Sequence, residues 1–226
     1  MEIKITNEGG HIESFNKEAC PLCTIKRSSL FHQDKRRPYL RCSECSLVYV
    51  PNTHLLGLEE EKAIYDLHQN DGNDQGYQKF LSRCLDPVKQ RLLDGHVGLD
   101  FGCGPGPVLA DMFSKEGWSV SVYDPIYFPK EELLSQQYDF ITATEVIEHV
   151  YSPKDVLPLL IHMLKPEGIL ALMTKRVLSR EAFSTWHYKN DQTHVCFYSE
   201  ETFRWIANRY QLSYEFVSSD VVLLSK

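Results

Sequence analysis

The sequence predicts an α/β fold: a mainly parallel sheet with helices on both faces, an antiparallel strand at its C-terminal end, and a small module in front. Three observations carry this. Short apolar runs alternate with helical periodicity after about residue 58, a glycine-rich turn follows the first such run, and four cysteines at paired spacing all precede residue 46. At roughly 150 residues per domain, 226 residues give one large core and an appendage. The boundary falls near Pro51 to Gly57, leaving residues 1–57 as the module and 58–226 as the α/β unit.

The elements follow in order. A helix is expected over Glu59 to Gln69, then a polar loop from His68 to Gly76, then a helix from Gln75 to Leu93 that Pro87 should kink or split. Val97 to Phe101 is a strand entering the glycine turn, and a helix runs from Pro107 to Lys115 and stops at Gly117. Trp118 to Tyr123 and Tyr138 to Thr142 are the next strands. Ser152-Pro-Lys-Asp155 reads as a helix start, with Val156, Leu159, Leu160, Met163 and Leu164 at helical spacing and Pro166 and Gly168 closing it. Ile169 to Thr174 is a strand, Ser199 caps a helix reaching Tyr210, and Leu212 to Val217 with Val221 to Leu224 forms a final antiparallel pair. Alternation of this kind implies a sheet covered on both faces.

Composition excludes several classes. Hydrophobic residues at 42% and charged residues at 24% are ordinary globular values. The longest apolar stretches, such as Val156 to Leu164, are broken by Pro158 and His162 well short of the ~20 residues a membrane span needs. The N-terminus has no basic segment followed by an apolar one, so a cytoplasmic protein without a membrane partner is expected. Seven cysteines in a reducing compartment are read as metal ligands or free thiols. The net charge of −7 is uneven: Thr24 to Arg41 carries +5, through Lys26, Arg27, Lys35, Arg36, Arg37 and Arg41 against Asp34.

The most informative segment is Gly98-Leu-Asp-Phe-Gly-Cys-Gly-Pro-Gly-Pro107, a strand running into a glycine turn and then a helix. Glycines there let a ligand approach the backbone, and the helix start offers unpaired N–H groups. Asp124, at the end of the second strand, can accept ribose hydroxyls. A dinucleotide fingerprint would need glycine where Pro107 stands, so that reading fails.

Asp100-Phe-Gly102-Cys-Gly104-Pro-Gly106 instead resembles the first motif of class I S-adenosylmethionine-dependent methyltransferases, which have a Rossmann-like fold. Tyr123-Asp-Pro125, Phe140-Ile-Thr-Ala-Thr-Glu-Val-Ile-Glu-His149 and Leu164-Lys-Pro-Glu-Gly168 resemble later motifs in the same order. The resemblance implies that Gly102, Cys103 and Gly104 lie along the methionine part of the cofactor, that Asp100 orients the loop or the amino group, that Asp124 holds the ribose, and that Thr144 and Glu145 line the site. Only 13 residues separate Asp124 from Tyr138, too few for the usual helix, third strand and adenine-binding acid. Ile126 and the Tyr127-Phe128 pair are candidates to cover the base or to anchor the loop.

Cys20-Pro-Leu-Cys23 and Cys42-Ser-Glu-Cys45, eighteen residues apart, form a four-thiolate pattern suited to one tetrahedral ion, zinc or iron, in a closed structural site. Thr24 and Ser46 stand where glycine commonly follows each knuckle. The segment Tyr39 to Pro51 resembles the zinc ribbon preceding many bacterial small-molecule methyltransferases, sugar C-methyltransferases among them, and the whole resembles a compact ribbon-plus-methyltransferase group.

The acceptor side is expected in Trp186 to Tyr198, after the fifth strand. His194, which resembles a histidine of that loop in related enzymes, is the first candidate base and His149 the second; Trp186, Tyr188 and Tyr198 could form an aromatic pocket or pack beneath the loop, and Tyr65 and Tyr77 could lid the cofactor or pack in the core. Ala143-Thr-Glu-Val146 lacks the motif resembling amino-directed nucleic-acid methyltransferases, and no Pro-Cys nucleophile is present, so DNA is not an expected acceptor. A small molecule is the first reading. RNA docked by the basic ribbon is the second, and a non-catalytic cofactor-binding protein the third.

Overall fold

The computed structural model describes residues 18–67 and 71–226. Residues 68–70, the end of the helix expected to reach Gln69 and the start of the following loop, lie outside them. In chain order the elements are β1 (Ser28–Gln33), β2 (Pro38–Cys42), β3 (Val48–Tyr49), α1 (Leu58–Tyr65), α2 (Gln75–Lys89), β4 (Val97–Phe101), α3 (Val108–Lys115) and β5 (Ser119–Tyr123). They continue with β6 (Tyr138–Thr144), α4 (Pro153–His162), β7 (Leu164–Met173), α5 (Arg180–Ser184), β8 (Cys196–Phe197), α6 (Glu200–Tyr210), β9 (Ser213–Phe216) and β10 (Val221–Ser225).

The larger sheet has the order β5-β4-β6-β7-β10-β9. Its first four strands are parallel, and β10 pairs antiparallel with both β7 and β9. Alternation along these strands divides the core. Ile141, Ala143, Leu170, Leu172, Val222 and Leu224 point to one face, where Leu157 and Leu160 of α4 and Phe203 and Ile206 of α6 cover them. Phe140, Ile169, Ala171, Met173, Val221 and Leu223 point to the other, against Leu81, Leu85 and Val88 of α2 and Phe113 of α3. Two buried faces explain why these strands read as continuous apolar runs.

Three local expectations change. α2 continues past Pro87, which stands near its C-terminal end, so no split occurs. The Ser152 side chain makes no bond to the helix backbone; its hydroxyl donates to the Asp155 carboxylate at 2.5 Å. β7 starts at Leu164, because Leu164 already pairs with Tyr138; Pro166, Glu167 (φ 65°) and Gly168 make an excursion inside the strand, not a turn before it.

The cysteine module forms a second sheet, β1-β2-β3-β8, whose last strand comes from far along the chain. Its aromatic residues merge with the core of the larger unit: Tyr39 lies 5.1 Å from Phe183 and 5.7 Å from Phe197, ring to ring. None of the seven cysteines is in a disulfide.

Candidate active site

In an open parallel sheet, ligands sit at the carboxyl ends of the strands, where successive connections leave in opposite directions. Here β4 has β5 on one side and β6 on the other, so the crevice opens after Phe101. Gly102 and Gly104 adopt φ of 72° and 64°. A Cβ on Gly102 would stand 2.6 Å from the Val146 side chain, so the turn tolerates no other residue without displacement. The turn is fixed by the Gly102 N–H donating to the Tyr123 carbonyl at 2.7 Å.

Beside the turn lies a cavity of about 740 Å³, within the range of small-molecule sites. Asp100, Gly102, Cys103, Gly104, Asp124, Ile126, Tyr127, Thr144 and Glu145 line one end. Asp124 Oδ1 accepts the Ile126 and Tyr127 N–H groups at 2.8 and 3.0 Å, and Oδ2 accepts Gly104 N–H at 3.0 Å. A carboxylate has about four acceptor positions, so one remains for a ligand hydroxyl. Asp100 is buried and accepts the Thr142 hydroxyl at 2.8 Å; burial, with a smaller push from Asp124, raises its pKa to about 7. Thr144 and Glu145 line the cavity wall; Glu145 accepts the Tyr188 hydroxyl through Oε2 at 3.2 Å, leaves Oε1 buried without a partner among the described residues, and adopts φ 52°. Helix α1 roofs the cavity with Leu58, Glu61 and Tyr65, and the Tyr127 hydroxyl ties the far wall to it by donating to Asp66 at 2.8 Å.

The opposite end holds His149, Asp191 and His194. The two imidazoles meet edge to face, with centroids 4.6 Å apart, and each points Nδ1 at a backbone carbonyl: His149 at Thr193 (3.2 Å) and His194 at Tyr188 (2.7 Å). A carbonyl fixes the tautomer with the proton on Nδ1, which makes Nε2 the basic atom. His194 Nε2 stands 3.9 Å from Asp191 Oδ2. Burial pushes the Asp191 pKa up, but hydrogen bonds from Thr193 and the nearby histidines outweigh it, so the net direction is down. Behind them Glu148 is fully buried, bonded to the Tyr188 hydroxyl, and raised to about 8 by burial and by Glu145. Glu148, His149 and His194 offer donor atoms within 4.8 Å of one another, a set that could also hold a divalent cation.

The other donor cluster is the cysteine quartet, whose four sulfurs lie within 4.8 Å of one another, with Cys20–Cys45 at 3.5 Å and Cys23–Cys42 at 3.4 Å. A tetrahedral ion with metal–sulfur bonds of about 2.3 Å sets sulfurs close to ~3.8 Å apart, so the set fits one ion. Thr24 and Ser46 take φ of 64° and 60°, the left-handed turn that glycine usually supplies after a knuckle.

A family model described as a methyltransferase domain matches residues 71–215. The chain belongs to that family. Among curated proteins, the ubiquinone biosynthesis O-methyltransferase of Salmonella paratyphi A is 31% identical over 100 residues, covering 34% of this chain and 41% of that protein. The chain therefore aligns with well under half of that relative's length. Among solved structures, the 1,6-didemethyltoxoflavin-N1-methyltransferase of Burkholderia thailandensis, with its substrate and S-adenosylhomocysteine bound, has a TM-score of 0.52 at 13% identity, covering 88% of this chain and 97% of that one. A possible histamine N-methyltransferase from Thermotoga maritima has a TM-score of 0.41 at 17% identity, covering 65% and 89%. The first of these two structural likenesses supports the fold.

Within this methyltransferase domain, Asp100, Gly102, Cys103, Gly104, Asp124, Thr144 and Glu145 come together at one end of the cavity, and His149 and His194 at the other. Of the aromatic candidates, Tyr65, Tyr77 and Tyr127 line the cavity, whereas Tyr198 is buried in the core with its hydroxyl on the Ile147 carbonyl. Trp186 packs on Phe183 and Tyr188, beneath the loop. Cys196 is likewise buried away from the cavity. Sequence reasoning missed Asp191, although it sits in the segment quoted for His194, and missed Glu148 as the acid behind the histidines. It also counted Arg37 as surface charge, whereas its side chain is buried.

Proposed function

We propose that this methyltransferase domain transfers a methyl group from S-adenosylmethionine to a small-molecule acceptor by in-line displacement, with residues 58–226 carrying the reaction and residues 1–57 a structural zinc ribbon held by Cys20, Cys23, Cys42 and Cys45. One observation carries the reading. A single cavity joins a polar end, with Asp100, Asp124, Thr144 and Glu145, to a basic end with two tautomer-fixed histidines. The cofactor supplies an electrophilic methyl, so the chain needs only to align the partners and remove a proton. Asp100 suits the amino group, Asp124 a ribose hydroxyl, and Ile126 and Tyr127 the base. His194 is the preferred general base, with Asp191 beside its Nε2 to stabilise the imidazolium, and His149 is the second.

The RNA reading loses Arg37, which is buried; Lys26, Arg27, Lys35 and Arg36 stay exposed, Arg36 while donating to the Asn190 carbonyl at 3.0 Å and Arg27 at 3.8 Å from Glu44. No helix among the described residues is long and apolar enough to cross a membrane.

The test is native mass spectrometry with S-adenosylmethionine, followed by label transfer from the methyl-labelled cofactor to a metabolite fraction and to total RNA in parallel. We expect one cofactor bound and label in the metabolite fraction. Label confined to RNA overturns the acceptor class, and no binding at saturating cofactor overturns the reaction.

A further inference from the structure

We propose that the ribbon is the scaffold of the acceptor side, and that Arg37 is the positioning residue that sets the loop bearing Asp191 and His194. The inference rests on the reading of that end of the cavity as the acceptor site. Between Lys189 and Val195 the chain has no strand of its own to satisfy its carbonyls. Arg37 supplies the donors. Its guanidinium reaches the carbonyls of Gln192 (2.8 Å), Lys189 (3.2 Å), Asp191 (2.9 Å) and His194 (2.8 Å), while Nε donates to the Tyr39 hydroxyl at 3.2 Å. A planar fork of five N–H groups can gather four carbonyls converging from one loop; an ammonium with three donors on a flexible stem cannot.

The fork is itself held rigidly. Asp34 Oδ1 accepts the Arg36 and Arg37 backbone N–H groups at 2.8 and 3.0 Å, and its other oxygen accepts the Tyr39 hydroxyl at 2.9 Å. Lys189 is buried 3.7 Å from the same carboxylate. Immediately after the loop, Val50 N–H donates to the Val195 carbonyl at 2.9 Å and β3 pairs with β8. The ribbon thus grips both the loop and the strand that leaves it.

Two of the four gathered carbonyls belong to Asp191 and His194, the residues whose side chains line the cavity. Loop displacement would carry Asp191 and the His194 ring together away from His149, which follows β6 and stands 4.6 Å from that ring, centroid to centroid. The opposite end rests on β4, β5 and β6, which Arg37 does not touch. Acceptor geometry therefore depends on the ribbon, whereas the glycine turn and the Asp124 carboxylate, which bond one another and not Arg37, do not.

The test uses the full chain as wild type, Arg37→Ala and Arg37→Lys, with three readouts: amide hydrogen exchange, calorimetric binding of S-adenosylhomocysteine, and the NMR titration of the His194 ring. In Arg37→Ala we expect exchange over residues 189–197 to rise about tenfold or more, exchange over β4 and β6 to stay unchanged, and S-adenosylhomocysteine to bind within about twofold of wild type. The His194 titration should shift, with Arg37→Lys between the two. A folded Arg37→Ala with unchanged loop exchange and an unchanged His194 titration overturns the proposal. So does an Arg37→Lys protein that loses loop protection, strand protection and product binding together, and this variant decides if Arg37→Ala does not fold. Failure of the wild type to bind the product would instead sink the functional reading, and the exchange comparison would still stand.

Discussion

The substitution Asp100→Asn tests the polar end of the cavity at its most buried charge. The Asp100 side chain is wholly enclosed, accepts the Thr142 hydroxyl, and has its pKa raised from 3.8 to about 7, chiefly by burial. A raised acid holds its proton in the folded state while the unfolded chain has released it. Between pH ~4 and ~7 the folded state thus binds more protons, so stability falls as pH rises through that window. The whole shift corresponds to roughly 4 kcal/mol, which sets a ceiling on what a neutral isostere recovers above pH 7. Urea unfolding should find Asp100→Asn more stable than wild type at pH 8, by up to about 4 kcal/mol, with the difference vanishing near pH 4. Binding should move oppositely. An ionised Asp100 facing the ammonium of the cofactor forms a charge-assisted bond worth about 1.5–3 kcal/mol, so the variant should bind S-adenosylhomocysteine about ten- to a hundredfold more weakly at pH 8 by calorimetry. Equal stability at pH 8 would refute the burial argument, and undiminished affinity in a folded variant would refute the assignment to the amino group.

Two further outcomes follow from other features. Gly102→Ala forces a side chain into the left-handed region and within 2.6 Å of Val146, so it should reduce product binding at least about tenfold and destabilise the fold by about 1–3 kcal/mol in urea titrations; wild-type binding would show that the turn does not face the cofactor. The purified protein should contain one zinc by elemental analysis. Cys42→Ser should lose it and lower the thermal midpoint, while full metal content in that variant would exclude the quartet as the ligand set.

Much of the fold was legible because it is written locally. Val221 to Leu224 is apolar at every position, as a strand buried on both faces requires, and the structure divides those same residues between two cores. The glycine turn was legible because positive φ restricts residue type at Gly102 and Gly104. Where sequence reading failed, the deciding term was not local. Pro166 and Gly168 are turn formers anywhere, yet Leu164 pairs with Tyr138 before them and draws them into β7.

The placement of the loop could not be read for a stricter reason. Its partners in Arg37 are backbone carbonyls, which every residue carries, so no choice of side chain at Lys189, Asp191, Gln192 or His194 announces the contact. Counting charges along Thr24 to Arg41 treats each arginine as solvated, and Arg37 is 5% exposed. A buried arginine without carbonyl partners would leave an uncompensated charge, and a loop of unpaired carbonyls would leave orphan acceptors. Each group is tolerable only because the other is present. The pairing is therefore visible in neither segment alone.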